Sequence, residues 1–431
     1  MDDAAQQEPS PPLAGMRVIE LSSFVASPLG GMTLAQLGAD VIRIDQVGGG
    51  PDIGRWPLAP SGHSLYWAGL NKGKRSVTVD LRSPEGRRIV ARLVAGSGED
   101  GGIVLTNAAP RGGLAYDDLR AARPDLIHLR LLGHRDGRNA VDYTVNAELG
   151  FPYLTGPESH DGPVNHVLPV WDVACGLYLA TGLLAAERHR ARTGEGRRIE
   201  VALYDVALAT AGNLGYLAEA QLCDTPRPRL GNHLFGDFGR DFATADGEPV
   251  MVVVLTGRHW RDLLAATGLG EVAAALERAF GADFGRAADR YRHREALGGV
   301  MAPWFASRTR AEIERDLGDA SVLVARYGDL AGLTRDDAAA LRSSPLMDVL
   351  DQPGAGRHLA PGPPLVFDGR QVPPRPAPVL GEHTGEVLRE LLSLSPGEVD
   401  DLRARGVAGE PAGPAPEAGR TAAEAGRAGG R

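Results

Sequence analysis

Asp172 is the residue whose type and setting point most directly to chemistry. It lies in the stretch NHVLPVWDVACGLYLATGLLAAERHRARTGEGRRIEVAL, Asn165 to Leu203, behind Pro169 and Trp171 and at the start of a long apolar helix. A carboxylate there faces unpaired backbone N–H groups and the positive end of the helix dipole, and is expected to stay ionised. By spacing alone it reads as a helix N-cap, for which Asp is a favoured residue. Cys175 shares its side of the helix and reads as a small core residue, not a nucleophile. His189, Arg190 and Arg192 read as charges that neutralise the helix C-terminus. Arg192 to Gly196 reads as a polar hairpin leading into a strand.

Other candidates are basic or glycine-rich. Lys72, Lys74 and Arg75 stand in a glycine-containing loop before a strand; singly, each charge reads as solvated. In Gly231-Asn-His-Leu-Phe-Gly-Asp-Phe-Gly-Arg240, the arginine suits bidentate carboxylate binding, with Asn232 and His233 beside it. Gly236 and Gly239 let backbone approach a ligand, or simply make an interdomain turn. His134, in Gly133-His-Arg-Asp-Gly137, sits at a strand end, where a lone histidine is ordinarily solvated. Asp142 reads as the cap of its own helix, and Tyr143 as packing.

These residues need a scaffold that short β-rich runs alternating with helical patterns would supply. Strands are expected at Arg17–Leu21, Val41–Ile44, Ser76–Leu81, Ile103–Thr106 and Leu126–Leu132, with helices at Leu29–Leu37 and Pro84–Val94. That alternation predicts an α/β fold with a parallel, Rossmann-like sheet. No G-x-G-x-x-G follows the first strand, and Gly48–Gly50 runs into Pro51, so a dinucleotide site is disfavoured. A single helix is expected at Asp205–Leu222, and then Pro226 and Pro228 break the chain. The expected division is a leader at 1–12, a large domain at 13–228, a small α+β domain at 229–350, a return to the large domain at 351–407 and a disordered tail at 408–431. The small domain should carry a strand at Val250–Leu255, and the return a strand at Leu365–Phe367 and a helix at Glu382–Leu392.

The chain has 431 residues, 43% hydrophobic and 23% charged, which suits a two-domain globular protein. A net charge of −9 argues against nucleic acid as a partner. Cys175 and Cys223 are the only cysteines, excluding a disulfide framework or a cysteine-based zinc site. The longest apolar run, Val173 to Ala186, reads as too short to cross a bilayer, and the acidic N-terminus is unlike a targeting signal. The expected location is the cytoplasm.

Asp172 with Gly176, Gly182, Ala185 and Ala186, followed by Arg190-Ala-Arg-Thr-Gly-Glu-Gly196, resembles the signature of family III CoA-transferases. Further landmarks follow in register: Leu13-Ala-Gly-Met-Arg-Val-Ile-Glu20, Ala26-Ser-Pro-Leu-Gly-Gly31, Leu37-Gly-Ala-Asp-Val-Ile-Arg-Ile-Asp45, Asn71-Lys-Gly-Lys-Arg-Ser76 and Leu380-Gly-Glu-His-Thr384. The resemblance makes Asp172 the catalytic nucleophile and His134 a polarising or sulfur-side contact. It implies CoA and substrate contacts at Phe24, Val25, Ala26, Gln46, Lys72, Lys74, Arg75, Asn107, Arg111 and Asp136. His233, Gly236, Gly239 and Arg240 stand where many members carry a run of glycines that closes over the aspartate. Longer strings, such as FVASPLGGMTLAQLGADVIRIDQVGGG and SLYWAGLNKGKRS, are most similar to members that move CoA between the two carboxylates of one diacid, from 2-methylfumaryl-CoA to 3-methylfumaryl-CoA. The alternative is transfer between a dicarboxylic acyl-CoA and a free acid. The resemblance also implies an interlocked homodimer, with no metal and no cofactor beyond the CoA of the substrate. A related racemase would need a histidine where Val141 stands.

Overall fold

The computed structural model describes residues 10–109, 111–224, 227–335 and 338–411, so most of the expected leader and tail lies outside it. The chain divides into two compact units. The first comprises Met1–Leu149, Leu168–Leu214 and Arg342–Arg431, and the second Gly150–Val167 and Gly215–Leu341. Gly150–Val167 therefore groups with the second unit, which resumes at Gly215 where the sequence suggested 229.

The first unit is built from β1 (Arg17–Leu21), α1 (Ala26–Gln36), β2 (Asp40–Asp45), α2 (Leu65–Leu70), β3 (Arg75–Thr78), α3 (Pro84–Ala95), β4 (Ile103–Thr106), α4 (Tyr116–Ala122), β5 (Ile127–Leu132), α5 (Asp142–Glu148), α6 (Val170–Thr193), β6 (Arg198–Ala202) and α7 (Leu203–Asn213). Its six strands form one parallel sheet in the order β3-β2-β1-β4-β5-β6. Helices cover a parallel sheet on both faces, which is why β4 reads Ile-Val-Leu-Thr and is buried throughout. In α3 the Ser83 hydroxyl caps the Gly86 amide, Pro84 opens the first turn, and Ile89, Val90, Leu93 and Val94 pack on the sheet. The order reverses between β1 and β4, and a crevice at the carboxyl ends of those two strands is the usual place for a ligand.

Several local expectations are corrected. Arg192–Gly196 is no hairpin: α6 runs to Thr193, and Gly194, at φ +74°, closes it with a bond to the Arg190 carbonyl. Arg190 is spent on the Gly101 carbonyl, 2.6 Å away, and on Asp125. With 24 residues, α6 is long and apolar enough to cross a bilayer by length and composition, unlike the shorter run counted in sequence. Here it packs along α1. At 365–367 there is a lone bridge, Phe367 to Arg370, in place of a strand. The nearby antiparallel pair is Met347–Gln352 with Gly356–Pro361. The tail's start is ordered, since Ala408 is buried and pairs with Val79.

In the second unit, α8 (Tyr216–Leu222) is separate from α7 because Gly215 sits at φ +85° between them. Strands β7 (Phe238–Phe242), β8 (Val250–Val254) and β9 (Leu323–Arg326) make an antiparallel sheet over a core that includes Phe238, Trp260, Phe284 and Phe305.

Candidate active site

Asp172 is the third residue of α6, and it is not the cap. Pro169 holds the cap position without a side-chain bond. The amides of Trp171 and Asp172 instead donate to one oxygen of Asp142, at 2.7 and 3.2 Å. The Val170 and Val173 amides go to the carbonyls of Leu168 and Pro169. Asp142, at the start of α5, therefore caps α6, while Val141 holds the cap position of α5. Trp171 anchors the arrangement by donating from its indole to Asn146, 3.2 Å away.

Asp172 is also less readily ionised than the helix start alone implies. Burial raises its carboxyl pKa, the charge of Asp142 raises it further, and Arg55 only partly offsets them, so it reaches about 7. The helix dipole is already answered by Asp142. Cys175 is buried as expected, and burial pushes its thiol far up.

The turn after β1 forms a second wall. Phe24 adopts φ +68°, a strained conformation for a bulky residue. Its amide is held by both oxygens of Asp52, at 2.9 and 3.1 Å. Asn107, just beyond β4, bonds both the amide and the carbonyl of Ser23, so it pins the turn across the point where the strand order reverses. Arg43 ties the base together by reaching Asp45, Asp52, Asn71 and the Ser22 carbonyl. The turn delivers Val25 and Ala26 into α1. Among the described residues, the amides of Ala26 and Ser27 meet no acceptor. Gly176, one turn after Asp172, allows the helices to cross closely, because a Cβ there would meet the Ala26 carbonyl at 2.9 Å.

Arg55 and Tyr66 complete this group, and sequence reasoning missed both. The Arg55 guanidinium lies 5.1 Å from the ring centre of Phe24 and 4.6 Å from that of Tyr66. Burial raises the Tyr66 hydroxyl pKa, and the charge of Asp172 is among the further causes. Tyr66 lies in one of the strings that carry the resemblance, but nothing in the local sequence marks Arg55.

The other expected residues divide sharply. Gln46 and Arg111 line a cleft of about 570 Å³ with Arg82, His128, Arg130 and Arg198. Gln46 also holds Asp80 and the Leu81 amide. Lys74 is buried, and its ammonium bonds Glu20 at 2.8 Å, the Pro28 carbonyl and Asn71, so its three protons are spent. Arg75 is paired with Asp40, Glu386 and Glu390. Neither is offered to a phosphate. Lys72 donates to the Pro361 carbonyl at 3.3 Å, and burial lowers its pKa. His134 is buried and stacked on Tyr204 at 4.8 Å, with Glu148 3.5 Å from its ring nitrogen, so it is not a solvated loop histidine. The charges acting on Asp172 are those of Asp142 and Arg55, not of His134. Asp136 is exposed and pairs with Arg138, which holds its pKa down.

In the second unit, Arg240 and His233 both face Glu295, at 3.6 and 3.1 Å. Glu158, His233 and Glu295 bring potential ligand atoms within 4.8 Å of one another, but Arg240 and Arg294 already counter their charge. Gly236 has φ +84°, and Gly239 is a β7 residue whose Cβ position is crowded by Leu234, so neither makes a glycine run like the family's.

The strand order is that of a doubly wound α/β unit, with a strained turn and a partly buried helix-start aspartate, and comparison gives it a family. Residues 13–384 match the model of CoA-transferase family III, and the chain belongs to that family. It is 49% identical to the 2-methylfumaryl-CoA isomerase of Chloroflexus aurantiacus, over 93% of this chain and 98% of that protein. It is 32% identical to the succinate–glutarate CoA-transferase of Agrobacterium fabrum, over 89% and 96%. A CAIB/BAIF family protein from Brucella suis superposes with a TM-score of 0.72 at 27% identity, covering 89% of this chain and 100% of the other.

Proposed function

We propose that this CoA-transferase works within one molecule, converting 2-methylfumaryl-CoA to 3-methylfumaryl-CoA. The observation that carries the chemistry is Asp172, a partly buried carboxylate placed beside a second carboxylate, Asp142, which takes the helix amides in its stead. Its raised pKa marks a poorly solvated, basic and hence reactive oxygen nucleophile. The isomerase at 49% identity supports the choice of substrate.

In the first step an ionised Asp172 oxygen attacks the thioester carbonyl, and the C–S bond breaks to give a mixed anhydride and CoA thiolate. The thiolate then attacks the Asp172 carbonyl of the anhydride, forming an aspartyl-CoA thioester and expelling the diacid as its dianion. If the other carboxylate of that diacid attacks the new thioester, the sequence runs in reverse and CoA ends on the opposite carbon. Keeping the acid bound makes this return effectively intramolecular, which is worth several kcal/mol of barrier. The free amides of Ala26 and Ser27 at the start of α1 are the donors for the oxyanions formed on the way. The arginine-lined cleft beyond β1 and β4 is the place for the CoA phosphates. CoA enters as substrate, and no other cofactor or metal is required. We assign a cytoplasmic, homodimeric form; the exposed apolar residues Leu177 and Tyr178 on α6, with Leu365 and Phe367, support burial against a second copy.

The test is to incubate the protein with 2-methylfumaryl-CoA and labelled free 2-methylfumarate. The expected result is isomer without label, with hydroxylamine trapping the acyl group at Asp172 and Asp172→Ala losing turnover by a factor on the order of 10⁴ or more. Labelled product from the unsubstituted enzyme would make it an intermolecular transferase.

A further inference from the structure

We infer that Arg55 is the receptor for the second carboxylate of the acyl group: held against the rings of Phe24 and Tyr66, its guanidinium binds the free end of a dicarboxylic acyl chain while the other end reacts at Asp172. The inference deepens the function proposed above and rests on it.

The backbone of Arg55 is fixed from both sides, its amide bonded to the Asp52 carbonyl at 3.3 Å and its carbonyl accepting from the Ser64 hydroxyl at 2.6 Å. The rings of Phe24 and Tyr66 both lie against its guanidinium, at 5.1 and 4.6 Å from ring centre to the guanidinium carbon. Cation–π contact uses the face of a guanidinium and leaves its in-plane N–H groups available, and those are the groups that bind a carboxylate in bidentate fashion. Among the described residues, those N–H groups meet no acceptor and no ion-pair partner. The contrast with other arginines of the chain is direct. Arg43 is spent on Asp45 and Asp52, Arg75 on Asp40 and Glu390, and Arg240 shares Glu295 with His233. Arg55 is close enough to Asp172 to oppose the rise in its pKa, yet does not hydrogen-bond it. It is charged, pre-oriented and unspent.

Charge bookkeeping over the cycle favours the same role. Once Asp172 is acylated it carries no charge, and the anion that Arg55 opposed there is gone. The charge reappears on the released diacid, whose carboxylate can pair with the guanidinium until the other end attacks the aspartyl-CoA thioester. An acyl group without a second carboxylate leaves the guanidinium without a counter-ion, so the same residue selects against neutral acyl chains.

The experiment compares the first half-reaction, read as CoA thiol release with hydroxylamine as the acyl trap, for succinyl-CoA and for crotonyl-CoA. Arg55→Met should lower the ratio of kcat/KM values, charged over neutral, by roughly 10- to 150-fold, as expected for loss of one charge-assisted hydrogen-bonded contact. Arg55→Lys should restore part of that ratio. In the full reaction, Arg55→Met should also let labelled 2-methylfumarate enter the product. An unchanged ratio, with both substrates impaired alike, would show that Arg55 merely supports the fold or Asp172 and would overturn the inference. The two readings fail separately: label entering the product of the unsubstituted enzyme defeats the isomerase, while the selectivity ratio still decides the receptor.

Discussion

Two clusters of charge, one buried and one partly buried, lie in the first unit, and they are built on opposite plans. Around Arg43 and Lys74, the carboxylates Glu20, Asp45 and Asp52 each have a cation at 2.8 to 2.9 Å. Burial opposes the Arg43 charge, but Asp45, Glu20 and Asp52 together outweigh it and hold the guanidinium above its ordinary range. Burial lowers Lys74 to about 8, although Glu20 resists the shift. Around Asp172 there is no such matching: its near neighbour is another carboxylate, Asp142, and the one cation acting on it does not bond it. The first cluster locks the turn at Phe24 in place. The second leaves a destabilised anion at a helix start, next to free backbone donors. Compensated charge holds structure, whereas uncompensated charge marks the place where reaction is to occur.

The sharpest break of that contrast is in stability. Lys74→Met leaves Glu20 buried without its cation and should cost about 3–5 kcal/mol, read by chemical denaturation. Asp172→Asn should act in the opposite sense. The folded carboxyl titrates near 7 and the unfolded one near 3.8, so the folded state binds more protons in between, and stability falls as pH rises from about 4 to about 7. The variant escapes that fall. It should match the parent at pH 4 and exceed it at pH 8 by on the order of 2–4 kcal/mol, while losing turnover. A destabilised Asp172→Asn at pH 8 would show that the carboxylate is compensated after all. The smallest effect sharpens the assignment within the pair. Asp142→Asn keeps an acceptor for the Trp171 and Asp172 amides but removes the charge that raises Asp172. The acid limb of kcat/KM, expected near pH 7, should move to lower pH, with a stability change of about 0.5 kcal/mol. A limb that stays in place would assign the shift to burial alone.

Strand patterning made most of the sheet legible: β4 is an apolar run, and β1, β2 and β5 keep buried apolar pairs such as Val18-Ile19, Val41-Ile42 and Ile127 with Leu129 around the charged or polar Glu20, Arg43 and His128. Helix ends were less legible. The break at Gly215 and the length of α6 depend on a glycine adopting φ above zero, which composition permits without requiring. The site divided in the same way. Asp172, Asn107 and the turn at Phe24–Ala26 were marked by motif, while Lys74 and Arg75 were marked as ligand contacts although their protons are spent on Glu20, Asp40 and Glu390.

By itself, then, the sequence determined that this is an α/β protein with a single aspartate at the head of a long helix, in the pattern of a CoA-transferase. Periodicity and residue type are local properties, and they survive being read along a line. Tertiary structure decided what that aspartate is. Asp142 arrives from 30 residues away to take the helix amides and repel the Asp172 charge. Arg55 arrives on a loop with no motif, its guanidinium against two rings and, among the described residues, without an acceptor for its N–H groups. A pKa and an unspent hydrogen bond are sums over neighbours in space, and folding chooses those neighbours.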